Sequence, residues 1–115
     1  MEDRLAVYLG HIVDAARDAL IYTEGMTKED FQSDRRTQQA IILNLLIIGE
    51  SATKLIQNHS GFVEKHRHIA WQSMRGMRNR IAHGYFDINI EIVWETVISE
   101  LPKLIRELEA IQKQD

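Results

Sequence analysis

Between Arg35 and Asn58 apolar side chains recur at three- and four-residue steps around most of a helical wheel. Ile41, Leu45, Ile48, Ala52 and Leu55 form one stripe, and Ile42, Leu46 and Ile56 widen it. Residues 41–48 alone read equally well as a buried strand, but the helical period continues through polar flanks on both sides and the segment is too long for a strand. Asp34 is placed to cap this helix. A helix with two apolar faces must be covered on several sides, and a chain of 115 residues has few other helices to do it. The pattern leaves two solutions open: the centre of a monomeric bundle, or a face covered by a second copy.

One Pro and six Gly are the only strong breakers, and period-two alternation is missing between them, so the chain is predicted to be all-α. From Arg4 to about Tyr22, Leu5, Tyr8, Ile12, Ala15, Ala16 and Ala19 share one face, with Asp3, Asp14, Arg17 and Asp18 on others. Thr27 and Asp30 resemble a capping box that opens a short turn through Phe31. Ser60-Gly61 is read as the end of the long helix, followed by a His-rich connector over residues 62–69 and a further helix from near Trp71 to a cap at Gly84. Asp87 or Asn89 then caps a last helix whose stripe is Val93, Val97, Leu101, Leu104, Ile105, Leu108 and Ile111, with Pro102 expected to kink or split it. Length and the lack of any linker make residues 1–115 a single domain.

With no cysteine, thiolate metal sites and cysteine nucleophiles are excluded and a reducing compartment is the default. Asn44 interrupts the most apolar run, which is shorter than the roughly 20 residues needed to cross a bilayer. Met1-Glu2-Asp3-Arg4 lacks the basic start of an export signal. A soluble cytoplasmic protein without a cofactor is therefore expected. His59, His66 and His68 cluster near the connector, but with only Glu64 beside them they make a poor metal set. Net charge is −3, yet it is unevenly spread: −5 over residues 1–34, +2 over 35–63, +4 over 64–83 and −4 over 84–115. The basic block is where an anionic partner would be drawn, although the same charges also suit a solvated helix face.

Within that block, residues 71–84 read Trp-Gln-Ser-Met-Arg-Gly-Met-Arg-Asn-Arg-Ile-Ala-His-Gly. On a wheel of about 100° per residue, Trp71, Met74, Met77, Ile81 and Ala82 define an apolar arc, and Met74 and Met77 read as core filling. Arg78 falls inside this arc, where an unpaired guanidinium is costly, so something must compensate it; Glu50 is one candidate. Arg75, Asn79 and His83 form a polar strip beside the arc, and Arg80 points away. Arg78 and His83 lie roughly 140° apart, so one phosphate meets both only across a cleft or if the last turn unwinds at Gly84. Histidine moves protons near neutral pH and arginine opposes charge developing on phosphate, so His83, Arg78 and an orienting Asn79 could cleave a phosphodiester without a metal. The substrate's own 2′-OH would be the nucleophile. A helix-terminal cation at His83 and a structural ion pair at Arg78 explain the same residues without catalysis.

The run from Arg78 to Tyr85 resembles the Arg, four residues, His, one residue, Tyr motif of the HEPN superfamily, and specifically of HepT-like toxins paired with minimal nucleotidyltransferase antitoxins. The likeness extends to Ile48-Gly49-Glu50-Ser51-Ala52, Trp71, Gly76-Met77, Tyr85-Phe86-Asp87-Ile88-Asn89 and Leu101-Pro102. It implies a bundle of four to five helices that forms a homodimer, with both motifs facing a shared cleft. It further implies a metal-independent ribonuclease, the toxin of a type VII toxin–antitoxin pair, with Arg78, His83 and Asn79 as catalytic residues. Tyr85 matches the tyrosine that a cognate antitoxin modifies with AMP, although it also reads as a partly buried aromatic beside Phe86. Arg75 and Arg80 are candidates for substrate phosphates. The expected partners are RNA, the antitoxin and a second copy. The alternative implied by the same superfamily is a non-catalytic subunit that binds nucleotide or recruits a nucleotidyltransferase.

Overall fold

The computed structural model describes residues 3–114; Met1, Glu2, Asp115 and the side chain of Asp3 fall outside the described residues, and most of the acidic opening falls with them. Among the described residues seven α-helices run in chain order: α1 (Asp3–Tyr22), α2 (Lys28–Gln32), α3 (Arg35–Asn58), α4 (Ser60–Lys65), α5 (Trp71–His83), α6 (Ile90–Glu95) and α7 (Leu101–Lys113). No strand occurs among the described residues.

Capping chemistry sets the helix starts. The Thr27 hydroxyl accepts from the Asp30 N–H and the Asp30 carboxylate accepts from the Thr27 N–H, both at 3.0 Å, so the expected box opens α2. Asp34 accepts from the Thr37 N–H at 3.0 Å and from the Thr37 hydroxyl at 2.8 Å at the start of α3. Asn89, not Asp87, caps α6, its Oδ1 accepting from the N–H groups of Glu91 and Ile92.

α3 is the central helix, flanked by α1 and α5, while α7 closes on α1. Its five-residue stripe Ile41, Leu45, Ile48, Ala52 and Leu55 is fully inside, packed with Ile12, Ala16 and Ala19 of α1 and with Trp71, Met74 and Ile81 of α5. Burying each large apolar side chain here contributes about 1.5–3 kcal/mol. Over its most apolar 18-residue window α3 has mean hydropathy 1.4, enough by length and composition to cross a membrane, and 56% of that window is buried against its neighbours. Of the residues that widen the stripe, Ile42 is buried and Leu46 and Ile56 are partly buried, whereas Leu43 and Ile47, further round the helix, stand 56% and 37% exposed. Gly49 lets α5 approach closely, because a Cβ there would overlap the Arg78 Cβ and lie 2.7 Å from the Met74 carbonyl oxygen.

Three local expectations need correction. Ser60-Gly61 does not lead into an irregular connector; α3 ends at His59, whose N–H donates to the Leu55 carbonyl, and the chain at once winds a second, six-residue helix, α4. The Trp71 indole N–H then donates to the His66 carbonyl at 3.0 Å, tying this connection to α5. Ala82 is exposed rather than part of the apolar arc, because α5 packs on α3 through the narrower edge of Trp71, Met74, Arg78 and Ile81. The last helix is divided as Pro102 led one to expect, but by a wider turn: residues Thr96–Glu100 are π-helical, with the Leu101 N–H donating to the Thr96 carbonyl. Pro102, second in α7, has no N–H to continue a regular ladder.

Candidate active site

Helix α5 carries the motif from Arg78 through His83, leaving Gly84 and Tyr85 beyond its end, and its packing divides these residues between two sides. Trp71, Met74, Arg78 and Ile81, at steps of three, four and three, form the edge toward α3. With the Arg78 backbone pressed against Gly49, the guanidinium emerges along the seam between α3 and α5, its side chain 26% exposed. Arg78 Nε lies 3.0 Å from Glu50 Oε2, a charge contact whose alignment falls short of a hydrogen bond, and Nη2 donates to Glu50 Oε1 at 3.5 Å. Nη1 donates to Asn79 Oδ1 at 2.8 Å. The compensation demanded by an arginine in an apolar arc is therefore supplied by Glu50, which is itself half exposed. The Nε–Nη2 edge of the Arg78 fork, one suited to a bidentate phosphate, faces a carboxylate.

His83 is the last residue of α5 and is exposed. Gly84 ends the helix with its N–H donating to the Arg80 carbonyl at 3.0 Å, and a single 3-10 turn, Tyr85–Asp87, follows. The helical turn at His83 is kept rather than unwound, so Arg78 and His83 stay on different sides of α5. His83 lines a cleft with Met77, Arg80, Ile81 and Asp87, away from the seam that holds Arg78. Within one chain Arg78 thus lies at the α3–α5 seam and His83 at the cleft on another side of α5.

Arg75 donates to Gln72 Oε1 at 2.6 Å and is partly buried; Arg80 and Asn79 are exposed. Tyr85 is 41% exposed and meets Phe86 edge-on, with ring centroids 5.4 Å apart and planes at 87°. Phe86 stands 93% exposed. Met77 is not core filling alone, since it is only partly buried and lines the cleft beside His83. The His66 ring packs tilted against Phe62, with centroids 4.6 Å apart, and meets His68 at 6.0 Å, and Glu64 pairs with Arg67 at 3.1 Å. Sequence reading missed Asp87 and Ile92 as cleft residues; they come from the turn and helix beyond the motif, and periodicity within α5 carries no signal for them.

A family model described as ribonuclease HepT-like matches residues 12–111. The chain belongs to the HepT-like ribonuclease family. Its all-α bundle is the HEPN fold that the Arg78 to Tyr85 motif implied. Among HepT-like relatives, a protein of Methanocaldococcus jannaschii provisionally named as an RNase is 36% identical over 106 residues, covering 92% of this chain and 85% of its own. A Thermococcus cleftensis protein named "Probable ribonuclease HepT" is 37% identical over 106 residues, covering 92% and 94%. A provisionally named RNase of Caldanaerobacter subterraneus is 33% identical over 108 residues, covering 94% of each. No solved structure matches this HepT-like chain.

Proposed function

We propose that this HepT-like protein is a cytoplasmic, metal-independent RNA endonuclease and the toxin of a type VII toxin–antitoxin pair, active as a homodimer with composite sites. The observation that carries this reading is the placement of Arg78: it emerges part-exposed at a surface seam beside Glu50, rather than in the closed core, on a helix pair whose α3 member also leaves Leu43 and Ile47 exposed. A composite site forms if a second copy covers this face and carries its own His83 to the seam.

In that site His83 takes the proton of the ribose 2′-OH as the 2′-oxygen bonds to phosphorus. The bond to the 5′-oxygen breaks, and that oxygen takes up a proton, leaving a 2′,3′-cyclic phosphate and a 5′-OH. Arg78 opposes the charge that develops on the phosphoryl oxygens, Asn79 orients its fork, and Arg75 and Arg80 attract flanking phosphates. Tyr85, 41% exposed, would lose its phenolic proton as its oxygen attacks the α-phosphorus of ATP on a minimal nucleotidyltransferase antitoxin, with pyrophosphate leaving; the added AMP would bring bulk and negative charge to the RNA path. The test is a cleavage time course on labelled RNA in EDTA. EDTA-resistant cutting that falls about 10²–10⁴-fold in His83→Ala supports the reading, and equal cutting by a pure mutant contradicts it.

A second reading, a non-catalytic HEPN subunit that binds nucleotide or recruits a nucleotidyltransferase, is favoured by one observation: Glu50 already neutralises Arg78. Saturable nucleotide or partner binding without RNA turnover would select it.

A further inference from the structure

Helices α5 and α6 both pack on α3, and between them, beside His83, a cleft of about 450 Å³ remains. That size suits one nucleoside, well within the range of small-ligand pockets. Its walls are apolar: Met77 and Ile81 from α5, Ile88 from the turn and Ile92 from α6. Ile92 is 50% exposed, and Met77 and Ile88 are only partly buried, so these side chains face water. The polar groups sit at the rim. Arg80 and His83 lie on the α5 side and the Asp87 carboxylate near Gly84, its Oδ2 3.6 Å from where a Cβ on that glycine would stand. Asn89 also borders the cleft, but its carbonyl oxygen is committed to capping α6.

We propose that this cleft is the subsite for one unstacked RNA base next to the scissile phosphate, selecting a base with an exocyclic amino group. The proposal rests on the ribonuclease reading for the identity of the chain that occupies it. Single-stranded RNA is read by splaying a base onto apolar or aromatic side chains and bonding its edge. Here thioether and branched aliphatic walls take the base faces, Arg80 and His83 meet the phosphate outside, and Asp87 accepts from the edge. A carboxylate accepts from the amino group of adenine, cytosine or guanine and opposes the carbonyl oxygens that flank the single N–H of uracil.

The test uses the whole protein with methyl-labelled Ile and Met, titrated by NMR with uncleavable 2′-deoxy dinucleotides carrying adenine or uracil. The expected result is saturable shifts at Met77, Ile81, Ile88 and Ile92, with adenine binding about tenfold tighter than uracil. Ile92→Trp, at a half-exposed position, should fill the cleft and remove the shifts while helical content by circular dichroism stays at the wild-type level. Asp87→Asn should bring the adenine and uracil affinities within about twofold of one another. Shifts confined to other methyls, no shifts at all, or unchanged adenine binding by Ile92→Trp would overturn the proposal. RNA cleavage by the same preparation separates the two ideas. Base binding at these methyls without cleavage leaves the cleft standing and removes the nuclease reading, whereas His83-dependent cleavage without base binding removes the cleft alone.

Discussion

Glu50 and Arg78 meet across the seam between α3 and α5, Arg78 Nε 3.0 Å from Glu50 Oε2, on helices that Gly49 allows to touch. The pair makes an arginine in an apolar arc tolerable, and it also places a carboxylate where a phosphate would bind. Glu50→Gln removes the competing charge while keeping a hydrogen-bond acceptor. Affinity for a 2′-deoxy-substituted oligonucleotide should rise about three- to tenfold at low salt, with the gain shrinking as salt screens the site. Fluorescence anisotropy at two salt concentrations measures this, and weaker binding in the variant would show that Glu50 positions Arg78 rather than competing for it.

The close approach at Gly49 gives a stability prediction. In Gly49→Ala the new methyl overlaps Arg78 Cβ and crowds the Met74 carbonyl, neither of which is the end of a flexible side chain. Separating α3 from α5 should cost about 1–3 kcal/mol in a urea titration. The same movement displaces Arg78, so cleavage per folded molecule should fall as well. A Gly49→Ala protein of wild-type stability would mean the seam is looser than described.

Acid stability should carry the mark of the α3 cap. The backbone N–H of Thr37, and then its hydroxyl, hold the Asp34 carboxyl below its ordinary value of 3.8. A depressed carboxyl adds stability that is complete above the unfolded value and is lost as pH falls through the folded one. Wild type should therefore exceed Asp34→Asn in Tm by a constant margin from pH 7 to about 5, and the margin should close below about pH 4. A margin independent of pH would assign the cap to hydrogen bonding alone.

Most of the fold was legible because its determinants are local. Asp34, Thr27 and Asn89 stand at helix starts, and the stripes of α3 and α7 follow the helical period. Exceptions arose where a neighbour decided the outcome. Ala82 belongs to the apolar arc by angle, yet it is exposed because α5 offers α3 a narrower edge. The short α4 has few residues and no side-chain cap, so periodicity could not reveal it. In the site, the angular separation of Arg78 and His83 and the possible Glu50 partner were readable from spacing. Met77 and Ile92 facing one cleft was not, since that follows from the gap left between α5 and α6.

In the proposed homodimer each active site takes Arg78 from one protomer and His83 from the other. The most direct test of this claim mixes inactive Arg78→Ala and inactive His83→Ala proteins, exchanges subunits, and follows RNA cleavage in EDTA. If half the dimers are mixed and each mixed dimer keeps one of its two sites intact, cleavage should return to about a quarter of the wild-type rate. Mixtures that exchange subunits and remain as inactive as their parents would contradict the claim, because a site built within one chain cannot be restored by its partner.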